Sequence, residues 1–246
     1  MAEYIITGAS SEIGLAFLET LERESAEKIK VHGQYFSDGS RLKELMNRFE
    51  KVDLHLYQCD LSSLEETERW IAELNVHGMI PTHILHLVAQ KLMYMRLRQF
   101  DWKITSDALI VQVNSFAQLC KAFLPAMSKS RFGRVAVMLT DCTIGTPPKY
   151  MTDYLIAKHA LLGLMKGAAC EYAGTGVTIN GLSPGMIETK FLSKIDPRIA
   201  EMTARSSPMK RNVRLEEVVH ALRFLLSDNT GYMTGINLNL SGGEKM

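Results

Sequence analysis

The 246-residue sequence predicts an α/β fold: a doubly wound, seven-stranded parallel sheet with helices on both faces. Two observations predict it. Short apolar runs alternate with longer amphipathic stretches along the whole chain. A glycine-bearing turn, Thr7-Gly8-Ala9-Ser10-Ser11-Glu12-Ile13-Gly14, joins the first run of one kind to the first of the other. Strands separated by helices in this way pair in parallel through right-handed crossovers.

Tyr4–Thr7 is the first predicted strand, and an amphipathic run follows it to about Arg23. Ile29–Tyr35 is the second strand and Arg41–Phe49 a helix. Val52–Cys59 is the third strand. Leu64–Leu74 is a helix, opened by Ser62 or Ser63 as N-cap, with Glu65 and Glu66 in its first turn. His83–Ala89 is the fourth strand, and one long helical pattern runs from about Asp101 to Met127 with Pro125 near its end. Arg134–Leu139 is the fifth strand. Tyr154–Tyr172 is a long apolar-faced helix closed by Gly174 and Gly176. Val177–Leu182, the helix Leu215–Leu226 and the strand Ile236–Leu240 complete the set. Glu188–Val213 is the least regular stretch, either a lid over a site or a plain surface excursion. With no repeat, low-complexity tract or linker in view, residues 1–246 read as one domain with halves of about 1–130 and 131–246.

Composition narrows the function classes. Hydrophobic residues at 46% and charged residues at 22% fit a globule, and a net charge of +1 offers no basic face for nucleic acid. Cys59, Cys120, Cys142 and Cys170 form no CxxC pair and sit near no histidine at zinc spacing, so no metal site is expected. The chain enters its first apolar run with no basic leader, and no apolar run approaches the roughly 20 residues that span a bilayer. The expectation is a cytoplasmic protein without nucleic-acid or membrane partners.

In an open parallel sheet a ligand sits beyond the carboxyl ends of the strands, and the amides at a helix N-terminus attract phosphate there. Gly8, Ser10, Ser11, Ile13 and Gly14 are therefore candidate cofactor-binding residues, with Gly8 allowing the tight turn and Gly14 close helix–strand packing. Asp60, followed by Leu61, ends the third strand. Its carboxylate can accept from an adenine amine or cap the next helix. The second strand ends Gln34-Tyr35-Phe36-Ser37, with no acid before Asp38. An acid there would repel a ribose 2′-phosphate, so NADP(H) is favoured over NAD(H), with Arg41 or Ser37 as candidate phosphate contacts.

Tyr154 and Lys158 stand at i and i+4 and share one helix face. A phenol with pKa about 10 is a poor acid–base group at neutral pH. A neighbouring ammonium is expected to lower that value toward working pH, so that the pair can give a proton to a carbonyl oxygen or take one back.

With the glycine turn at the start and Tyr-x-x-x-Lys on the helix after the fifth strand, the chain resembles the short-chain dehydrogenase/reductase family from Tyr4 to Gly243. The likeness is greatest to its 3-oxoacyl-acyl-carrier-protein reductase branch. Gly133-Arg134-Val135, Thr178-Ile179-Asn180, Ser183-Pro184-Gly185-Met186-Ile187-Glu188-Thr189, Gly231-Tyr232-Met233-Thr234-Gly235 and Ser241-Gly242-Gly243 carry it. The resemblance implies a Rossmann-type fold with a cofactor half followed by a catalytic and substrate half. It implies Tyr154 as general acid/base, Lys158 on the nicotinamide ribose, and Asn114 holding a water that links Lys158 to solvent. Val88 and Ala89 would lie on the cofactor, and Pro184, Ile187 and Thr189 would line the nicotinamide. The two long helices would form a homodimer or homotetramer interface.

Three departures from the family pattern stand out. Glu12 replaces the middle glycine of the turn, which weakens cofactor binding at most. Leu87-Val88-Ala89-Gln90 replaces Asn-Asn-Ala-Gly after the fourth strand, with loss of hydrogen bonds. The usual catalytic serine is missing: counting back from Tyr154 lands on Asp141, and counting forward from Gly133 lands on Thr140. An ionised Asp would oppose a developing alkoxide, so Thr140 is favoured as the group that polarises the substrate. The leading expectation is an NADPH-dependent ketoreductase acting on a small-molecule or carrier-bound carbonyl, a 3-oxoacyl thioester first. A sugar or polyol reductase is an alternative, and so is a catalytically impaired subunit that keeps the fold and the cofactor.

Overall fold

The computed structural model describes residues 1–76, 78–187, 189 and 196–245. Its centre is a seven-stranded parallel sheet in the order β3-β2-β1-β4-β5-β6-β7. The strands are β1 (Ala2–Thr7), β2 (Ile29–Tyr35), β3 (Val52–Gln58), β4 (His83–His86), β5 (Gly133–Met138), β6 (Val177–Pro184) and β7 (Asn237–Leu240). The chain starts at β1, winds outward to β3, then crosses back to β4 and winds the other way. The switch point therefore falls between β1 and β4, where their carboxyl ends diverge and leave a crevice.

Helices α1 (Glu12–Glu24), α2 (Ser40–Arg48) and α8 (Leu215–Leu225) cover one face. Phe17, Leu18, Leu21, Leu42, Val219 and Leu222 bury there against β1 and β2. Helices α3 (Leu64–Val76), α5 (Ser115–Lys129) and α6 (Thr152–Glu171) cover the other, with Trp70, Phe116, Phe123, Leu161 and Met165 in its core. The central strands β4 and β5 are buried on both sides because both faces are covered, and they read as apolar runs, whereas the edge strands β3 and β7 alternate.

The long helical pattern from Asp101 is two helices joined by a wider turn: α4 (Trp102–Leu109), a π-helical segment at Ile110–Asn114, and α5. Pro125 lies inside α5 without ending it. The predicted strand His83–Ala89 stops at His86, where the chain leaves the sheet for the crevice. Ser63, not Ser62, caps α3, accepting from the Glu66 amide at 3.2 Å.

Of the irregular stretch Glu188–Val213, Glu188 and residues 190–195 lie outside the described residues. The described remainder holds α7 (Pro197–Ser206). Asp196 caps this helix through the Arg198 amide, and Pro197 begins it, so an Asp-Pro start signal was present in the sequence. Among the described residues no helix is long and apolar enough to cross a membrane, and no group of histidine, cysteine or acidic side chains has metal-binding geometry.

Candidate active site

One cleft of about 1200 Å³ opens at the carboxyl ends of the strands. It gathers Gly8, Ser10, Ser11, Ile13, Asp60, Leu61, Val88, Ala89, Thr140, Tyr154, Lys158, Pro184, Ile187 and Thr189, all expected site residues. Gly14 and Asn114 do not line it. Gly14 packs behind the turn, where an added Cβ would stand 2.5 Å from the Ala9 carbonyl oxygen. Gly8 has φ +68° and lies so close to Val88 that a Cβ would meet its side chain at 3.3 Å. A larger residue at either position would push the turn away from the helix N-terminus that faces the cleft.

The turn is held by a residue that sequence reasoning passed over. Gln34 accepts from the Gly8 amide at 2.9 Å through Oε1 and donates to the Cys59 carbonyl at 2.7 Å through Nε2. Its own carbonyl accepts from the Ala9 amide at 2.9 Å. One side chain thus ties β2, the glycine turn and the end of β3. Ser11 caps α1 by accepting from the Gly14 amide at 3.1 Å. Glu12 occupies the first helical turn and lines the cleft. The Asp60 carboxylate takes both the amide and the hydroxyl of Ser62, at 2.9 and 2.7 Å, so it shapes the turn before α3 while lining the cleft.

The bonds lost with the family's asparagines at Leu87 and Val88 are replaced from the preceding residue. His86 is fully buried; its Nδ1 lies 2.9 Å from the Thr7 hydroxyl and its Nε2 2.9 Å from the Gln112 carbonyl. Burial lowers the pKa of the ring to about 3, so it is neutral at working pH. Nε2–H therefore donates to Gln112 and Nδ1 accepts from Thr7. The imidazole links the strand that carries the glycine turn to the π-helical segment. Near it, Asn114 leaves a buried Nδ2 and Gln112 a buried Oε1 without partners among the described residues. Buried polar atoms of this kind are commonly satisfied by ordered water.

Lys158 is 1% exposed and donates to the Met138 carbonyl at 2.8 Å, with its ammonium 5.9 Å from the Tyr154 ring centroid. Burial lowers its pKa to about 7. The half-buried Tyr154 departs from the expected electrostatics. Burial pushes its phenol above the ordinary range, opposed by a hydrogen bond with Thr140 and reinforced by the negative sides of Cys142 and Asp141. The expected lowering by Lys158 fails because both groups are taken out of water together. That bond to Tyr154 gives Thr140, not Asp141, the place beside the phenol. Asp141 opens a short 3₁₀ turn, Asp141–Thr143, in which Thr140 Oγ1 caps the Cys142 amide at 3.3 Å. This turn supplies the additional loop residue that separated the two counts.

A family model described as Enoyl-(Acyl carrier protein) reductase matches residues 8–245. The 3-oxoacyl-acyl-carrier-protein reductase FabG of Escherichia coli is 31% identical over 98% of this chain and 96% of its own length. The chain belongs to the short-chain dehydrogenase/reductase family. It is an NAD(P)-dependent oxidoreductase of that family, and the glycine turn, the α1 N-terminus and the size of the cleft fit a dinucleotide. An oxidoreductase of Bacillus subtilis, YmfI, described as uncharacterized, is 26% identical over 97% of both chains. An NAD+-bound xylitol dehydrogenase superposes with TM-score 0.86 at 21% identity, covering 98% of each chain. A 3-oxoacyl-acyl-carrier-protein reductase from Brucella melitensis gives 0.87 at 20% identity, covering 100% of this chain and 91% of its own. At these identities the two structures establish the fold.

Proposed function

We propose that this short-chain dehydrogenase/reductase is an NADPH-dependent ketoreductase working toward the alcohol. The Tyr154 phenol carries the proposal: it faces the cleft, bonds to Thr140 and is kept protonated by burial. NADPH, when bound, supplies a hydride to the carbonyl carbon. As the C=O double bond becomes single, the Tyr154 hydroxyl gives its proton to the oxygen, and Thr140 donates a second hydrogen bond to it. Lys158, fixed by Met138, holds the nicotinamide ribose. Asn114 and its water return a proton toward Lys158. Gly8, Ser10, Ser11 and Ile13 hold the pyrophosphate, with Gly14 packed behind them; Asp60, Leu61, Val88 and Ala89 hold the adenosine; Pro184, Ile187 and Thr189 hold the nicotinamide.

The preference for NADPH rests on the acid-free end of β2 and on Arg41, which lines the cleft at the start of α2. Asp38 lines the cleft as well, and its carboxylate accepts from the Ser40 amide at 2.9 Å. A 3-oxoacyl thioester is the first substrate to test, because reductases of that class are among the relatives at about 30% identity. We extend the proposal to one domain acting in the cytoplasm as a homodimer or homotetramer built on α5 and α6. On the outer side of α6, Gly163 and Gly167 have open space where a Cβ would stand, and all four cysteines are free.

The test is NADPH oxidation with a 3-oxoacyl thioester and a panel of simple ketones, with and without Tyr154→Phe. The variant is expected to lose turnover sharply while binding NADPH almost as before. Equal loss of both would contradict the role given to Tyr154. NADPH binding with no turnover on any ketone would favour an impaired, cofactor-holding subunit. Light scattering of the purified chain tests the assembly.

A further inference from the structure

The corner of the cleft next to Thr140 carries charges that proton transfer at Tyr154 does not use. Asp141 is 9% exposed, lines the cleft, and makes no ion pair among the described residues. Its Oδ1 has two long contacts, 3.4 Å from Thr140 Oγ1 and 3.5 Å from Cys142 Sγ, both neutral donors. A second carboxylate, Glu244, lines the same cleft from the C-terminal segment. Lys245, whose charge acts on Asp141, has its ammonium on the Thr146 carbonyl at 2.9 Å. Burial raises the pKa of Asp141, and the Glu244 charge raises it further against Cys142, Lys245 and Thr140.

A nine-tenths-buried carboxylate without an ion pair is costly, and such groups are normally paired or neutralised. Asp141 lines the cleft, so a bound molecule can supply that partner. Asp141 Oδ1 and Thr140 Oγ1 lie 3.4 Å apart, so whatever meets Asp141 stands only a few bonds from whatever meets Thr140. We propose that the substrate carries a basic nitrogen close to its carbonyl carbon, as in an amino ketone or the matching amino alcohol, and that Asp141 receives its ammonium. The carbonyl oxygen then rests on Tyr154 and Thr140. Glu244 adds to the negative potential, and Lys245 holds the C-terminal segment over the loop that carries Asp141. This assignment rests on the proposed carbonyl cradle at Tyr154 and Thr140, and it sets the substrate apart from a neutral 3-oxoacyl chain.

The experiment compares 1-amino-2-butanone with 1-hydroxy-2-butanone, matched in size and differing in charge, using the whole enzyme and NADPH at pH 7. Wild type is expected to favour the amine in kcat/KM by roughly tenfold or more, the scale of a charge-assisted hydrogen bond. Asp141→Asn, nearly isosteric, is expected to bring that ratio close to one, mainly through KM. Equal use of the two ketones by wild type, or a preference that survives D141N, overturns the proposal and leaves the reductase assignment standing. If neither ketone is reduced, calorimetry of 1-amino-2-butanol with the NADP+-loaded enzyme decides. Binding that D141N abolishes supports the ammonium subsite and counts against the reductase assignment. No binding by wild type, or binding unchanged in D141N, rejects the subsite.

Discussion

The ammonium of Lys158 donates to the backbone carbonyl of Met138 at 2.8 Å, so the α6 residue beside Tyr154 is fixed to the last residue of β5. The bond sets the position of a group whose pKa burial lowers from 10.5 to about 7. Between those values the unfolded chain holds a proton that the native protein does not, so stability from this site rises with pH from about 7 to about 10.5. Lys158→Met is expected to flatten that rise and to increase the melting temperature at pH 7 by a few degrees, although the Met138 carbonyl loses its partner. Turnover should fall at the same time. A variant less stable than wild type at pH 7 would show that the lysine's bonds outweigh its desolvation. Melting curves across this pH range make the comparison.

Thr140 lies between Tyr154 and Asp141, so the function of its hydroxyl can be isolated. Thr140→Ala is expected to lower kcat about 10- to 100-fold with little change in NADPH binding, whereas Thr140→Ser should stay within a few-fold of wild type. Steady-state kinetics with a neutral ketone separates the two. If serine fails as badly as alanine, the methyl group's packing matters rather than the hydroxyl.

His86 offers a pH signature of its own. Its native pKa of about 3 lies below the ordinary 6.5, so as pH falls through that interval the unfolded chain takes a proton that the native ring refuses, and stability declines. Glutamine can make the same two bonds without titrating. His86→Gln is expected to remove up to about 1.4 kcal/mol per pH unit from the acid-side slope. Part of the slope should persist through His83, which burial also holds near 3. Denaturant unfolding of wild type and variant from pH 7 to pH 4 tests this. Identical slopes would mean that the ring is protonated in the native state.

Arg41 is expected to distinguish the two nicotinamide cofactors. Arg41→Ala should raise KM for NADPH roughly tenfold, the effect of one charge-assisted phosphate contact, and leave KM for NADH almost unchanged. A parallel rise in both, or a wild-type preference for NADH, would remove the 2′-phosphate from this end of the cleft.

The sheet was legible because its central strands are buried on both sides and its strands are separated by amphipathic helices, and the observed strands keep within a few residues of the predicted ones. The site was legible where one local motif carries it, as at Gly8–Gly14 and Tyr154/Lys158. It was obscure where the chain departs from regular geometry. The π-helical segment at Ile110–Asn114 has no periodic signature, and its widened turn is what presents the Gln112 carbonyl to His86. Thr140 and Asp141 could not be separated by counting because the answer depends on a 3₁₀ turn set by tertiary contact. Gln34 and His86 look like ordinary strand residues; their partners lie 25 or more positions away, so pattern reading does not pair them. The rise at Tyr154 was missed because spacing conveys proximity to a lysine but not the loss of water around both groups.

The cleft draws its walls from residue 8 to residue 245. β6 must pair with β7 before the segment bearing Glu244 and Lys245 can reach the loop after β5. Contacts of such sequence separation form late and slowly. During synthesis, the glycine turn and its helix have partners long before the ketone corner does. A nascent chain would therefore form the pyrophosphate cradle before the corner that discriminates among carbonyl compounds.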